Sequence, residues 1–277
     1  GGRMSGGRAF LCPRRPAAPG RAGADLPLPD APALLQRMVA RAAAVGSETN
    51  TLVHQFTKTS WYEKLDAAGN VTSVREKLYE VTLQRGLPHN RLVALDGRPL
   101  GPDESEQRNE SERKVRNRFS ASGSDRADEG VSALINDGLV ARFEFTVAGR
   151  EEVAGRPAVL LRFRPRSGPL PNERLADRVI NLLHGTVWVD EAEAEVVRAL
   201  VRTEGALRLR GGFLGALDRL EFHIDRARSP AGAWYNRQGL FLLRGRKLWE
   251  TVHFRAREVA GEIREVPPAP ALRADGR

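Results

Sequence analysis

From Thr51 onward the apolar residues recur with a period of two, which is typical of strands that bury one face. In the segment ARFEFTV, for example, Phe143, Phe145 and Val147 share one face and polar side chains share the other. This alternation predicts about ten strands, at residues 52–62, 73–85, 90–95, 141–147, 153–164, 186–189, 196–204, 217–227, 233–243 and 247–259.

Turn residues between these segments predict hairpins, and hence antiparallel pairing of strands that follow one another. Asp96-Gly97 is a strong tight-turn signal. Residues 86–90, GLPHN, predict a turn between the second and third strands. Residues 190–193 predict a hairpin tip, and residues 244–246 predict the turn before the last strand.

Two segments follow a helical period instead. One predicted helix has Asp30 as its N-cap and ends at Gly46, with an apolar face of Leu34, Leu35, Met38, Val39 and Ala42. A second, shorter helix is predicted over residues 174–183, where Leu175, Val179 and Leu182 align.

Residues 101–138 differ from the rest of the chain and predict a charged helical insertion. Glu110 with Lys114, and Glu112 with Arg116, place opposite charges four residues apart, which stabilises a solvated helix. Apolar residues within 131–139 predict a short second helix with a buried stripe.

Many strands with few helices predict an α+β fold. We expect a strongly curved antiparallel sheet, a half-open β-barrel, whose concave face is covered by helices. The expected domain spans residues 31–262, between flexible tails at residues 1–30 and 263–277.

Composition limits the chemistry that this domain can perform. The net charge is +9, yet 39 of the 44 basic residues are Arg and no block of like charges occurs. We therefore attribute the charge mainly to composition, expect no specific nucleic-acid partner, and leave open peripheral contact with an anionic membrane. Cys12 is the only cysteine, which excludes an intrachain disulfide and a cysteine-based metal site.

No catalytic constellation is visible in the sequence. No two of the five histidines lie three or four residues apart, and neither a nucleophile-elbow motif nor a phosphate-binding loop occurs. Glu191, Glu193 and Glu195 alternate at a hairpin tip, where solvation is the expected role. We predict neither catalytic residues nor a metal or other cofactor.

One apolar loop invites a functional interpretation. Phe213, Leu214 and Leu217 follow the glycines of the segment GGFLGAL and could contact a membrane or an acyl chain. The alternative, a hairpin turn whose apolar side chains pack into the core, is the interpretation that we favour.

The order of these parts resembles the outer-membrane lipoprotein-sorting superfamily, whose typical member is the periplasmic carrier LolA. The segment G-L-P-H-N-R-L-V-A-L-D-G-R-P-L at residues 86–100 is similar to a segment of uncharacterised bacterial members, and the Trp188-Val189-Asp190 hairpin also matches. The resemblance spans residues 31–260 and implies a half-barrel with an apolar cavity, helices as its lid, and a periplasmic or envelope location.

Our first hypothesis is therefore non-enzymatic binding of a lipid or lipidated partner by a monomer. The expected cavity lining is Phe56, Phe143, Phe145, Leu161, Phe163, Trp188 and Phe254. The expected lid is Leu35, Met38 and Val39. The alternative is an envelope interaction module with a filled core, which acts through its charged insertion.

Overall fold

The computed structural model describes residues 27–45, 53–119, 135–209, 215–248 and 250–266. This part of the chain contains the helices α1 (Ala31–Ala44), α2 (Pro102–Phe119), α3 (Asp137–Val140) and α4 (Leu175–Ile180). Its strands are β1 (Val53–Leu65), β2 (Val71–Gln84), β3 (Leu87–Leu95), β4 (Arg98–Pro99), β5 (Phe143–Val153), β6 (Arg156–Pro165), β7 (Leu183–Asp190), β8 (Val196–Thr203), β9 (Leu207–Leu209), β10 (Gly215–Arg228), β11 (Trp234–Lys247), β12 (Glu250–Ala260) and β13 (Arg264–Val266).

All strands of the described residues belong to one antiparallel sheet that does not close on itself. Its order is β4-β3-β2-β1-β12-β11-β10-β8-β7-β6-β5, while β9 pairs with β10 and β13 pairs with β1. The predicted α+β fold, a curved antiparallel sheet with helices, is confirmed. Thirteen strands replace the ten expected, because β4, β9 and β13 are too short to show an alternating pattern.

Two glycines allow neighbouring strands to approach each other closely. A Cβ atom at Gly185 would lie 2.1 Å from the Leu200 carbonyl oxygen, and one at Gly245 would lie 2.4 Å from that of Ala216. A side chain at either position would push the paired strands apart. Such glycines are typical of strand positions where a sheet bends sharply.

Helix α1 packs on the sheet through its apolar face, as predicted. The Asp30 side chain accepts a hydrogen bond from the Ala33 backbone N–H at 3.3 Å and caps the helix. Leu34 and Met38 are buried in the main core cluster with strand residues Val159, Leu161, Val189, Val196, Ala199 and Ile224. We call the sheet face that contacts α1 the covered face.

Helix α2 packs against β3 rather than standing free in solvent. Ser105, which is buried, donates its hydroxyl to the Leu92 carbonyl, and the Leu92 N–H donates to Asn109 Oδ1 at 3.0 Å. The predicted Glu110–Lys114 ion pair is present at 2.8 Å. Glu112 pairs with Lys77 at 2.6 Å, so α2 is not the purely solvated helix that was expected. The predicted pair of Glu112 with Arg116 stays a prediction, because the Arg116 side chain lies outside the described residues.

Several predicted boundaries shift in the structure. Strand β3 includes Pro88 and begins one residue after Gly86, so the turn predicted at residues 86–90 is a two-residue turn at Arg85-Gly86. Strand β11 continues through the turn predicted at residues 244–246. Strand β13 lies inside the predicted C-terminal tail. Of the predicted second insertion helix, residues 131–134 lie outside the described residues, and the described part forms α3 without a fully buried side chain.

Candidate functional site

A line of apolar residues crosses the covered face from one strand to the next. Backbone pairing connects Phe145 to Phe163, Phe163 to Gly185, Gly185 to Val201, Val201 to Phe222, Phe222 to Phe241, and Phe241 to Ala256. We call this line the phenylalanine row; its members are Phe145, Phe163, Gly185, Val201, Phe222, Phe241 and Ala256. Seven strands contribute to it, which corresponds to a length of about 30 Å.

The side chains of this row are only half-buried. Phe145, Val201 and Phe222 pack against the core cluster under α1 without entering it. The Phe145 and Phe163 rings have centroids 6.0 Å apart, and those of Phe241 and Phe254 are 5.4 Å apart. The row therefore keeps apolar surface available beside a fully packed core.

The structure brings most of the predicted lining residues together on the covered face. Phe143, Phe145 and Phe163 form one aromatic group, in which the Phe143 and Phe163 centroids are 5.2 Å apart. Leu161 is fully buried directly beneath α1. Phe254 lies at the far end of the row, beside Phe241.

Two predicted lining residues lie elsewhere. Phe56 is buried in a separate cluster with Tyr79, Val81, Leu83 and Leu92, where a cavity of about 520 Å³ has a mixed polar and apolar lining. Trp188 pairs with Leu160 on the opposite face of the sheet, and its Nε1 donates to Glu151 at 2.8 Å. Trp188 therefore lies on the other side of the sheet from the phenylalanine row, whereas Phe56 lies on the same face in a separate cluster.

Sequence reasoning did not select four apolar residues that complete this surface: Leu220, Phe222, Phe241 and Leu243. Their period-two spacing in β10 and β11 is visible in the sequence. The face on which they lie follows from the register, since Leu220 pairs with Leu243 and Leu243 with Phe254. That register was not deducible from spacing alone.

The predicted lid residues lie where α1 meets the sheet. Met38 is buried, Leu35 packs against the core cluster and Val39 is half-buried. Of the predicted membrane-contacting loop, Leu217 is half-buried in β10 opposite Gly245. Phe213 and Leu214 lie outside the described residues.

Polar groups border the row toward β1 and β2. Lys58 pairs with Glu258 at 3.5 Å, and the Tyr79 hydroxyl donates to Glu112 at 3.0 Å. Burial raises the pKa of Tyr79, and the neighbouring Tyr62 and Glu112 raise it further. The Tyr79 hydroxyl therefore keeps its proton. The Ser60 hydroxyl is buried without a hydrogen-bond partner among the described residues.

A second concave site is polar. A cleft of about 280 Å³ lies where the end of α1 meets the β2–β3, β7–β8 and β10–β11 turns. Its wall includes Arg41, Glu195 and Arg226, with Glu195 accepting hydrogen bonds from both arginines. His54 is buried beside it and lies 3.3 Å from the Ser229 hydroxyl.

Within the described residues, no group of three or more His, Cys, Asp or Glu side chains is placed to hold a metal ion. None of the helices in those residues has the length and hydrophobicity needed to cross a membrane.

Comparison with known proteins adds structural neighbours only. No protein-family model and no curated protein sequence matches the chain. The chain is similar to a domain described as an outer membrane lipoprotein-sorting protein from Vibrio parahaemolyticus, with 12% identity, 86% and 94% of the two chains covered, and a TM-score of 0.40.

Two further solved structures show weaker similarity. A DUF1329 family protein from Desulfovibrio piger is 11% identical, with 85% and 94% covered and a TM-score of 0.33. A LolA superfamily protein from Nitrosomonas europaea is 8% identical, with 84% and 94% covered and a TM-score of 0.29.

Proposed function

We propose that this protein binds a lipid, or the lipid of a modified partner, without catalysis, and that the acyl chain lies along the phenylalanine row. The observation that carries this proposal is the continuity of the row, which spans seven strands with half-buried apolar side chains. Packing of the monomer does not require a surface of this kind. An acyl chain, however, could contact it along several methylenes.

Acyl binding on such a surface needs no reactive group. Each methylene removed from water contributes about 0.8 kcal/mol, so ten of them contribute about 8 kcal/mol before the cost of association. That gross value corresponds to a dissociation constant of about 1 μM. The cost of association weakens this value, which suits a carrier because the ligand must also be released.

Two further features support this proposal: a helix that lies beside the row, and a resemblance that indicates a cellular location. Helix α1 contacts the core beside it through Leu34 and Met38, so a small displacement of α1 would widen the apolar surface. The resemblance of residues 86–100 to the lipoprotein-sorting superfamily supports a location in the cell envelope.

The decisive experiment is acyl-chain uptake by the full chain and by two variants that differ only in the face they alter. Phe241 lies in the row, and its neighbour Leu240 pairs with Arg257 on the opposite face. We expect Phe241→Ser to weaken binding of a fluorescent fatty acid at least tenfold and Leu240→Ser to change it less than twofold. Native mass spectrometry of the purified protein would identify a co-purifying lipid.

Equal effects of the two substitutions, or no uptake by the wild-type protein, would contradict lipid binding. The function would then be that of an envelope interaction module acting through the charged insertion. Partner-dependent protection of α2 from hydrogen exchange would be its expected signature.

A further inference from the structure

The polar cleft at the end of α1 has no role in acyl binding. In β10, Ile224 lies between Phe222 of the phenylalanine row and Arg226 of the cleft, and Ile224 is buried under α1. The packed core therefore separates the two sites. A ligand of the cleft would not contact the phenylalanine row, so the cleft can be tested separately from acyl binding.

The cleft carries an excess of positive charge. Among its lining residues are four arginines, Arg41, Arg85, Arg226 and Arg228, but only two carboxylates, Glu193 and Glu195. The arginines outnumber the carboxylates by two, so the lining retains two positive charges that its own carboxylates do not balance. A concave site with low-dielectric walls concentrates the field of such an excess.

Most of these guanidinium groups are held in fixed positions. Arg226 donates to Glu195 and, at 3.2 Å, to the Val196 carbonyl, while Arg41 donates to Glu195 at 3.2 Å. Arg228 lies 2.9 Å from Glu193, which also accepts from Trp234 Nε1 at 2.7 Å. These contacts orient the arginines before any ligand arrives.

Arg85 is the exception, and its backbone is unusual. It has no carboxylate partner in the part of the chain that the structure describes, and it occupies the β2–β3 turn with a φ of 51°. Arg85 and Gly86, whose φ is 77°, follow the type I′ pattern, in which Asn or Gly is preferred at the first position. An arginine at this position makes the turn less stable than asparagine or glycine would, but it places a positive charge at the cleft.

We propose that this cleft binds a phosphate-type oxyanion, either a free phosphorylated molecule or the phosphate of a lipid headgroup. Guanidinium groups pair with phosphate oxygens through two parallel hydrogen bonds, and Arg85 has its guanidinium available for that geometry. The ordered arginines of the wall supply the surrounding positive field.

The test is a calorimetric titration of the full chain with inorganic phosphate at low ionic strength. We expect Arg85→Asn to weaken phosphate binding about tenfold, since one charge-assisted contact is lost. The same substitution introduces the residue that the turn prefers, so its melting temperature should equal or exceed that of the wild-type protein.

Two matched controls separate the possible causes. Ala154 and Gly155 form a turn of the same type in the β5–β6 hairpin, with φ values of 52° and 79°, so Ala154→Asn should stabilise the protein without changing phosphate affinity. Arg91 is exposed in the same hairpin as Arg85 and pairs with Glu80. Arg91→Gln removes the same charge outside the cleft and should change affinity less than twofold.

Vesicles distinguish the two sources of phosphate. Arg85-dependent binding to phosphatidic acid vesicles, but not to phosphatidylcholine vesicles, would assign a lipid headgroup; Arg85-dependent binding of soluble phosphate alone would assign a free compound. No phosphate binding by the wild-type protein, or equal losses in the Arg85 and Arg91 variants, would overturn the proposal. Acyl uptake by the Phe241 and Leu240 variants is measured in a separate assay, so a negative result for one proposal leaves the test of the other intact.

Discussion

Helices α1 and α2 cover two regions of the same sheet through different interactions. Helix α1 buries Leu34 and Met38 against strands β6, β7, β8 and β10. This apolar contact depends on complementary shape, not on the directions of hydrogen bonds. Helix α2 presents Ser105, Asn109 and Glu112 to β2 and β3 and bonds to the backbone of Leu92 and to the side chains of Lys77 and Tyr79.

The difference follows from how completely the strands of each region are paired with their neighbours. The strands under α1 are paired on both sides and need an apolar cover. Strand β3 pairs with only two residues of β4 on its outer side, so its backbone groups would otherwise face solvent or another chain. Side chains of α2 satisfy two of those groups. A polar helix can therefore be structural where a sheet edge must be capped.

The largest effect is expected from Leu34→Ala, which tests whether apolar burial holds α1 on the sheet. Removing a fully buried leucine from the α1 contact should cost about 3 kcal/mol of unfolding free energy, measured by urea denaturation. Gln36→Ala, on the exposed side of the same helix, should change stability by less than about 0.5 kcal/mol. A cost for Leu34→Ala as small as that of the control would mean that α1 is not held by apolar burial.

Acid should weaken the α1 region through Asp190 at the β7–β8 turn. Burial opposes ionisation of this carboxylate, but hydrogen bonds from Arg156 and from the backbone N–H groups of Glu193 and Ala192 outweigh it and hold the pKa of Asp190 below its usual 3.8. Since the folded-state pKa is the lower one, this stability is complete above about pH 4 and is lost as the pH falls through the folded-state value.

We expect Asp190→Asn to lower stability at pH 7 by about 2–3 kcal/mol and to flatten the loss of stability below pH 4, because the half-buried Arg156 loses its ion pair with Asp190 and keeps only the one with Glu193. Urea denaturation at several pH values measures both effects. Asp218→Asn, an exposed substitution with the same charge change, should leave the acid profile intact. An unchanged profile in Asp190→Asn would refute the assignment.

The polar contact of α2 is expected to be weaker than the apolar contact of α1. The double variant Ser105→Ala with Asn109→Ala should cost about 2 kcal/mol, because both backbone groups of Leu92 lose their partners. Ser111→Ala, on the exposed side of α2, is the matched control. Faster hydrogen exchange at Leu92 in the double variant alone would locate the effect, and a cost above that of Leu34→Ala would reverse the comparison.

The smallest effect should come from Glu112→Gln. Its ion pair with Lys77 is partly exposed, and glutamine can still accept the Tyr79 hydrogen bond, so we expect a loss of about 0.5 kcal/mol that shrinks further in high salt. Thermal denaturation at two salt concentrations measures it. A loss that does not respond to salt would point to packing rather than charge.

Much of the fold could be predicted because its signals are local. The caps and period of α1, the alternation in β5 and β6, and the Asp96-Gly97 turn depend on residues that are near one another in sequence. The candidate site could be predicted only in part. Apolar spacing predicts Phe145, Phe163 and Phe254 but does not single out Phe222 and Phe241, and the strand register places Trp188 on the opposite face.

The sequence by itself determined which residues are apolar and where the longer strands and helices form. Only the tertiary structure decided which strands are neighbours and in which register. A shift of one residue moves every side chain of a strand to the other face, and no local signal fixes the pairing of β8 with β10 or of β12 with β1. The phenylalanine row and the arginine-lined cleft both depend on those long-range pairings.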